Sequence, residues 1–164
     1  MLQINVVSGD ITKMSGDIVI PATSTGDWYD GLNLALRLRQ PEEHHHVGLA
    51  VLLDALSDDE RKNLDGKIYP IKNVIFVIDD RGLLLSDLLF STLEAIQQAG
   101  YQMIAIPTMR ITPTTNPVEN VFLIFGGMKK SIARFKKIYP DSTLVVDLVV
   151  DNDPEIERLL KTIV

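Results

Sequence analysis

No cysteine occurs among the 164 residues, so the chain forms no disulfide, carries no thiolate nucleophile and builds no zinc–sulfur site. Cations are in the minority. Sixteen Lys and Arg against 22 Asp and Glu leave a net charge of −6, which argues against broad binding to the phosphate backbone of DNA or RNA. No apolar run approaches the roughly 20 residues that span a bilayer, so no membrane partner is expected. The N-terminus shows no basic segment followed by an apolar one, and a cytoplasmic protein is the default expectation. Internal repeats, linkers and low-complexity tracts are missing too. What remains is 46% hydrophobic and 23% charged, the balance of a globular chain able to bury a full core, and at this length one domain over residues 1–164 is expected.

Five runs read as strands: Leu2 to Val7, Ile18 to Ile20, Val74 to Ile78, Met103 to Pro107 and Thr143 to Val150. They are short, rich in Val and Ile, and mostly apolar on both parities, the pattern of strands covered on both faces in a largely parallel sheet. Helical segments separate them. Pro41-Glu42-Glu43 puts proline and acids in a first turn and predicts a helix to about Leu56. Ser57-Asp58-Asp59-Glu60 is a capping box for a further short helix. Ser86 to Gln98 has apolar Leu88, Leu89, Leu93 and Ile96 before Gly100, a usual stop. Pro117 to Tyr139 is the longest helical stretch, and Pro154 to Ile163 closes the chain. The fold class predicted is α/β, a three-layer α/β/α sandwich around a mixed, mostly parallel sheet of about six strands. Gly126-Gly127 inside the long helix costs about 1 kcal/mol per residue against Ala, which either close packing of the helix on the sheet or a kink or functional hinge would explain.

The stretch from Ile4 to Gly31 is the most informative. Two apolar runs, Ile4-Asn5-Val6-Val7 and Asp17-Ile18-Val19-Ile20, flank the turn Ser8-Gly9-Asp10-Ile11-Thr12, and a small, polar loop from Pro21 to Gly31 leads into the apolar-periodic helix Leu32 to Leu38. Strand, turn, strand, glycine-bearing loop and helix in that order build pockets for phosphate groups, because a helix start offers unpaired N–H donors and a partial positive charge.

Gly9-Asp10-Ile11-Thr12, then Asp17-Ile18-Val19-Ile20-Pro21-Ala22-Thr23-Ser24, then Asp30-Gly31 opening a helix resemble the start of a macro domain, the ADP-ribose-binding module. Downstream, Ile71 to Val77 resembles a central strand of that family, Leu83 to Ala99 the helix after it, and Tyr101 to Pro107 the strand carrying the second phosphate loop. The resemblance implies a pocket at the carboxyl ends of the central strands, bounded by residues 21–31 and 108–113, with ADP-ribose or a related nucleotide as ligand and no cofactor. It implies that Asp10 accepts a hydrogen bond from the adenine amino group, with the Ile11 amide facing the base, whereas the residues alone equally allow a turn aspartate bonding its own backbone. It implies diphosphate contacts at Asp30, Gly31 and Leu32, although Asp30 also suits a plain N-cap. Ser24, Tyr29 and Thr108, Met109, Arg110, Ile111 and Thr112 complete the expected lining.

The chain departs from the family's pattern in ways that bear on chemistry. Ser24 stands where hydrolytic members place an asparagine on the distal ribose, and Pro21 replaces the first asparagine of their motif. Thr25-Gly26-Asp27-Trp28-Tyr29 replaces the glycine run, adding bulk and a carboxylate where a diphosphate needs room. The second loop, Thr108-Met109-Arg110-Ile111-Thr112-Pro113, keeps no glycine, and glycine is what lets backbone approach phosphate closely. Arg110 either compensates as a cationic partner or is an ordinary solvated loop residue. A binding role is therefore expected over catalysis. Hydrolysis of an ADP-ribosyl bond or of a terminal phosphate, with Asp27 or Asp30 as base, is the first alternative, and a ligand-free scaffold for a protein partner the second.

Other features read more plainly. His44-His45-His46 would fan about a helix at roughly 100° each and cannot all face one ion, so no metal is expected. Trp28 and Tyr29 either stack on a ligand or cover the sheet edge. Lys129, Lys130, Arg134, Lys136 and Lys137 form a basic helix face that is either solvated or meets an acidic partner.

Overall fold

β-Branched, doubly apolar runs need cover on both sides, and among the described residues six strands assemble into one sheet with order β1-β6-β5-β2-β4-β3. The computed structural model describes residues 1–22, 50–52, 71–78, 84–109, 117–151 and 153–164. The strands are β1 (Gln3–Ser8), β2 (Gly16–Ala22), β3 (Ala50–Leu52), β4 (Ile71–Ile78), β5 (Met103–Pro107) and β6 (Val145–Val150). β1, β6, β5, β2 and β4 run parallel, and β3 pairs antiparallel with β4 at one edge. The α/β sandwich expected from the strand patterning is the one observed.

β3 corrects the sequence reading. The helix predicted from Pro41 to about Leu56 is not continuous, because Ala50–Leu52 is strand, pairing Ala50 with Val77 and Leu52 with Ile75. Its acidic, proline-led start predicted a helix, but a free strand edge on β4 supplies backbone partners that local propensity does not register. The remainder of that segment, and the helices expected at Leu32 to Leu38 and from Ser57, lie outside the described residues.

Helices α1 (Leu85–Gln98), α2 (Pro117–Ile138) and α3 (Pro154–Leu160) fall where apolar periodicity puts them. α1 ends as its sequence dictates: Gly100 takes φ +83°, its N–H bonds the Gln97 carbonyl at 3.2 Å, and the Tyr101 N–H bonds the Ile96 carbonyl at 3.3 Å. These are the paired bonds of a Schellman stop, which needs a residue without Cβ at the left-handed position. α3 begins on Asp153, whose Oδ1 accepts from the Ile156 amide at 3.1 Å, with proline following at the first helical position.

One face of the sheet carries Val19, Ile75, Val77, Ile104, Ile106, Val146, Leu148 and Val150 into a single apolar cluster with α1, α2 and α3. Phe135 lies at its centre, wholly buried and stacked on Tyr139 with ring centroids 4.9 Å apart. On the opposite parity Ile18, Ala105 and Val149 are buried too, so both faces are covered, as a layered sandwich requires.

α1 and α2 meet closely. A Cβ built on Gly127 would lie 3.3 Å from the Leu85 Cβ and 3.4 Å from the Ser86 amide nitrogen, and the buried Ser131 hydroxyl donates to the Ser86 carbonyl at 2.6 Å. Close packing thus explains Gly127, but against α1 and not against the sheet as expected. It does not explain Gly126, which has nothing within 4 Å of its Cβ position. Along the basic face of α2, Arg134 is more than solvated: its guanidinium sits 3.9 Å from the Phe90 ring centroid and 3.3 Å from an Asp87 carboxylate oxygen.

Candidate functional site

Because β1, β6, β5, β2 and β4 are parallel, their carboxyl ends share one end of the sheet. That end receives the turn after β1. The Gly9 N–H bonds the Val150 carbonyl at 2.8 Å, tying the turn to the end of β6, and the Lys13 N–H bonds the Asp10 carbonyl at 3.0 Å as the chain enters a 3-10 turn over Ile11–Lys13. Asp10 is half-buried there, while the Ile11 side chain is buried. This fixes the backbone of Asp10 and Ile11 at a strand end, where in open α/β sheets ligands bind.

Thr108 and Met109 follow β5 at the same end, so two separated parts of the predicted lining share one end of the sheet. Thr108 is half-buried. Met109 is wholly buried and belongs to the apolar core cluster, so its side chain serves packing and what it can present to a ligand is backbone. Ala22 and Ile78 close β2 and β4 alongside. Ser24, Tyr29, Asp30, Gly31, Leu32, Arg110, Ile111 and Thr112 lie outside the described residues, as do Trp28 and the run His44 to His46. Among the described residues no group of three or more His, Cys, Asp or Glu is placed to hold a metal ion, and no helix is long and apolar enough to cross a membrane.

The amino ends of the strands, which sequence reasoning did not single out, hold a cavity of about 520 Å³ bordered by Gly16, Asp17, Lys72, Tyr101, Met103 and Asp147 among others. Asp17 accepts a hydrogen bond from the Asn73 amide at 2.7 Å, and Asp147 accepts one from the Asn5 amide at 2.9 Å. Burial, and then the charge of Asp17, raise the Tyr101 hydroxyl above the usual phenol range.

A mostly parallel sheet in this order, with helices on it and a Gly-Asp-Ile-Thr turn at the end of the first strand, defines the class by architecture: the chain has a macro-domain-like fold. Solved structures carry that assignment. An Oceanobacillus iheyensis macrodomain mutant with ADPR superposes at TM-score 0.64, with 14% identity, over 97% of this chain and 90% of that one. The same organism's macrodomain with ADP gives 0.63 at 16% identity over 97% and 88%. The macro domain of ganglioside induced differentiation associated protein 2 gives 0.64 at 13% identity over 98% and 83%. By sequence, no family model and no curated protein matches the chain. At these identities the likeness is one of fold.

Proposed function

We propose that the chain is a binding module for ADP-ribose or a related adenine nucleotide, held at the carboxyl ends of the central strands and turned over slowly or not at all. The observation carrying this is the position of the Asp10-Ile11 turn, at the end of β1 and tied to β6, in a fold whose solved neighbours include macrodomains with ADPR and with ADP. A carboxylate there offers an acceptor to an exocyclic amine, and a buried polar edge of a base penalises binding unless it is paired. The sequence argues against efficient hydrolysis. Turnover needs a water held and activated at the distal ribose, and Ser24 is too short to reproduce the paired donor and acceptor of an asparagine.

Calorimetric titration with ADP-ribose and with ADP, alongside product analysis of an ADP-ribosylated protein, tests the reading. Saturable binding with little product supports it. Absence of binding by the folded chain would favour the scaffold alternative, and robust turnover abolished by Asp30→Ala would favour the hydrolase.

A further inference from the structure

The cavity at the amino ends of β2, β4 and β5 lies at the end of the sheet opposite Asp10 and Met109, and its volume of about 520 Å³ falls within the roughly 300–1,000 Å³ of small-molecule sites. Its shape has a backbone cause. Gly16 opens β2 at φ +99° with a register shift against β4 between Gly16 and Ile18, and Gly100 turns the chain toward β5 at φ +83°. Both border the cavity, and neither has any atom within 4 Å of its Cβ position.

The walls are chemically divided. Lys72 on β4 and Asp17 on the neighbouring β2 both border the cavity, and among the described residues no ion pair joins them. The Asp17 carboxylate is oriented instead by the Asn73 amide at 2.7 Å. Asp147 adds a second carboxylate, oriented by Asn5 at 2.9 Å. Met103, a large apolar side chain 57% exposed, borders the same space with Ile104 and Ala105. An ammonium and a preoriented carboxylate bordering one part-apolar hollow without pairing match a ligand carrying the reverse pair of charges.

We infer that this cavity is a second ligand site, taking a small zwitterion of the free α-amino acid class, its ammonium at Asp17 and its carboxylate at Lys72, with Met103 against its side chain. The inference stands apart from the nucleotide reading, since the two sites share no residue.

The test is a titration of the full chain with the common free amino acids, followed by backbone amide chemical shifts. At least one should bind, with shifts clustered at Gly16, Tyr101 and Met103. Its N-acetyl and carboxamide forms should each bind about tenfold more weakly or worse, as should the free form to Asp17→Asn and Lys72→Gln, the scale of one charge-assisted contact. Should Asp17→Asn fail to fold, the capped ligands on the unaltered chain decide alone. Failure of every amino acid to bind the folded chain overturns the site, as do capped forms binding equally well or shifts confined to Asp10 and Met109.

Discussion

The two ends of the sheet are built from the same parallel strands and reach opposite chemistries. At the carboxyl ends the turn after β1 holds the backbone of Asp10 and Ile11 against the end of β6, and the buried Met109 follows β5 at the same end. At the amino ends the chain arrives through left-handed glycines, and Asp17, Lys72 and Asp147 stand around a hollow. Among the described residues, the first end offers the main chain of the Asp10 turn with acidic side chains at Asp10 and Asp151, and the other offers side-chain charge of both signs. The same sheet thus separates the proposed nucleotide site from the proposed amino-acid site.

The apolar layer common to both ends gives the largest expected effect. Phe135→Ala should lower stability by about 3–5 kcal/mol, the usual cost of emptying a buried aromatic site, measured by urea unfolding. Retained ligand binding by whatever fraction stays folded keeps the two ends distinct; loss at one end only would show that they do not share this support equally. Next, Asp10→Ala should weaken adenine-nucleotide binding by about 1–3 kcal/mol with little change in unfolding midpoint. Calorimetry showing equal affinity removes Asp10 from the site and with it half of the contrast. Third, Gly100→Ala places a Cβ at φ +83° and should cost about 1–2 kcal/mol, sparing nucleotide affinity while disturbing the amino end.

Titration gives the smallest effect. The Tyr101 phenol is raised by burial and by Asp17, and the Tyr139 phenol chiefly by its hydrogen bond to Glu94. Each holds its proton more tightly folded than unfolded. Below about pH 10 both states are protonated and nothing changes with pH. Above it the unfolded chain ionises first, so stability falls as pH rises through the raised folded values. Tyr101→Phe should flatten part of that alkaline decline and leave the part due to Tyr139. An unchanged decline would detach Tyr101 from the charge at the amino end.

Much of this was legible in the residues. Gly100, Pro154 and Pro117 punctuate helices through local chemistry, and the doubly apolar Val and Ile runs announced a covered parallel sheet. β3 was not legible, because Ala50-Val51-Leu52 is a short apolar piece whose state is decided by the open edge of β4. At the carboxyl ends, the Gly9-Asp10-Ile11-Thr12 turn was readable as a unit, whereas Met109 read as a loop residue and proved to be core. The amino-end cavity had no local signature: Asp17 and Asn73 lie 56 residues apart and Asn5 and Asp147 lie 142 apart, and only the register of the finished sheet brings them together.

That last separation has a consequence for how the molecule comes into being. β1 has β6 as its sheet neighbour, with Gln3 opposite Val145 and Ser8 opposite Val150. β1 therefore waits, its hydrogen bonds to β6 unmade, until a strand 142 residues further along has been made. Closing so long a loop costs entropy before any contact repays it, which slows folding. In a growing polypeptide β2, β4 and β5 can associate first, and Gln3–Ser8 is the seam sewn last, the segment most open to mispairing with another nascent copy.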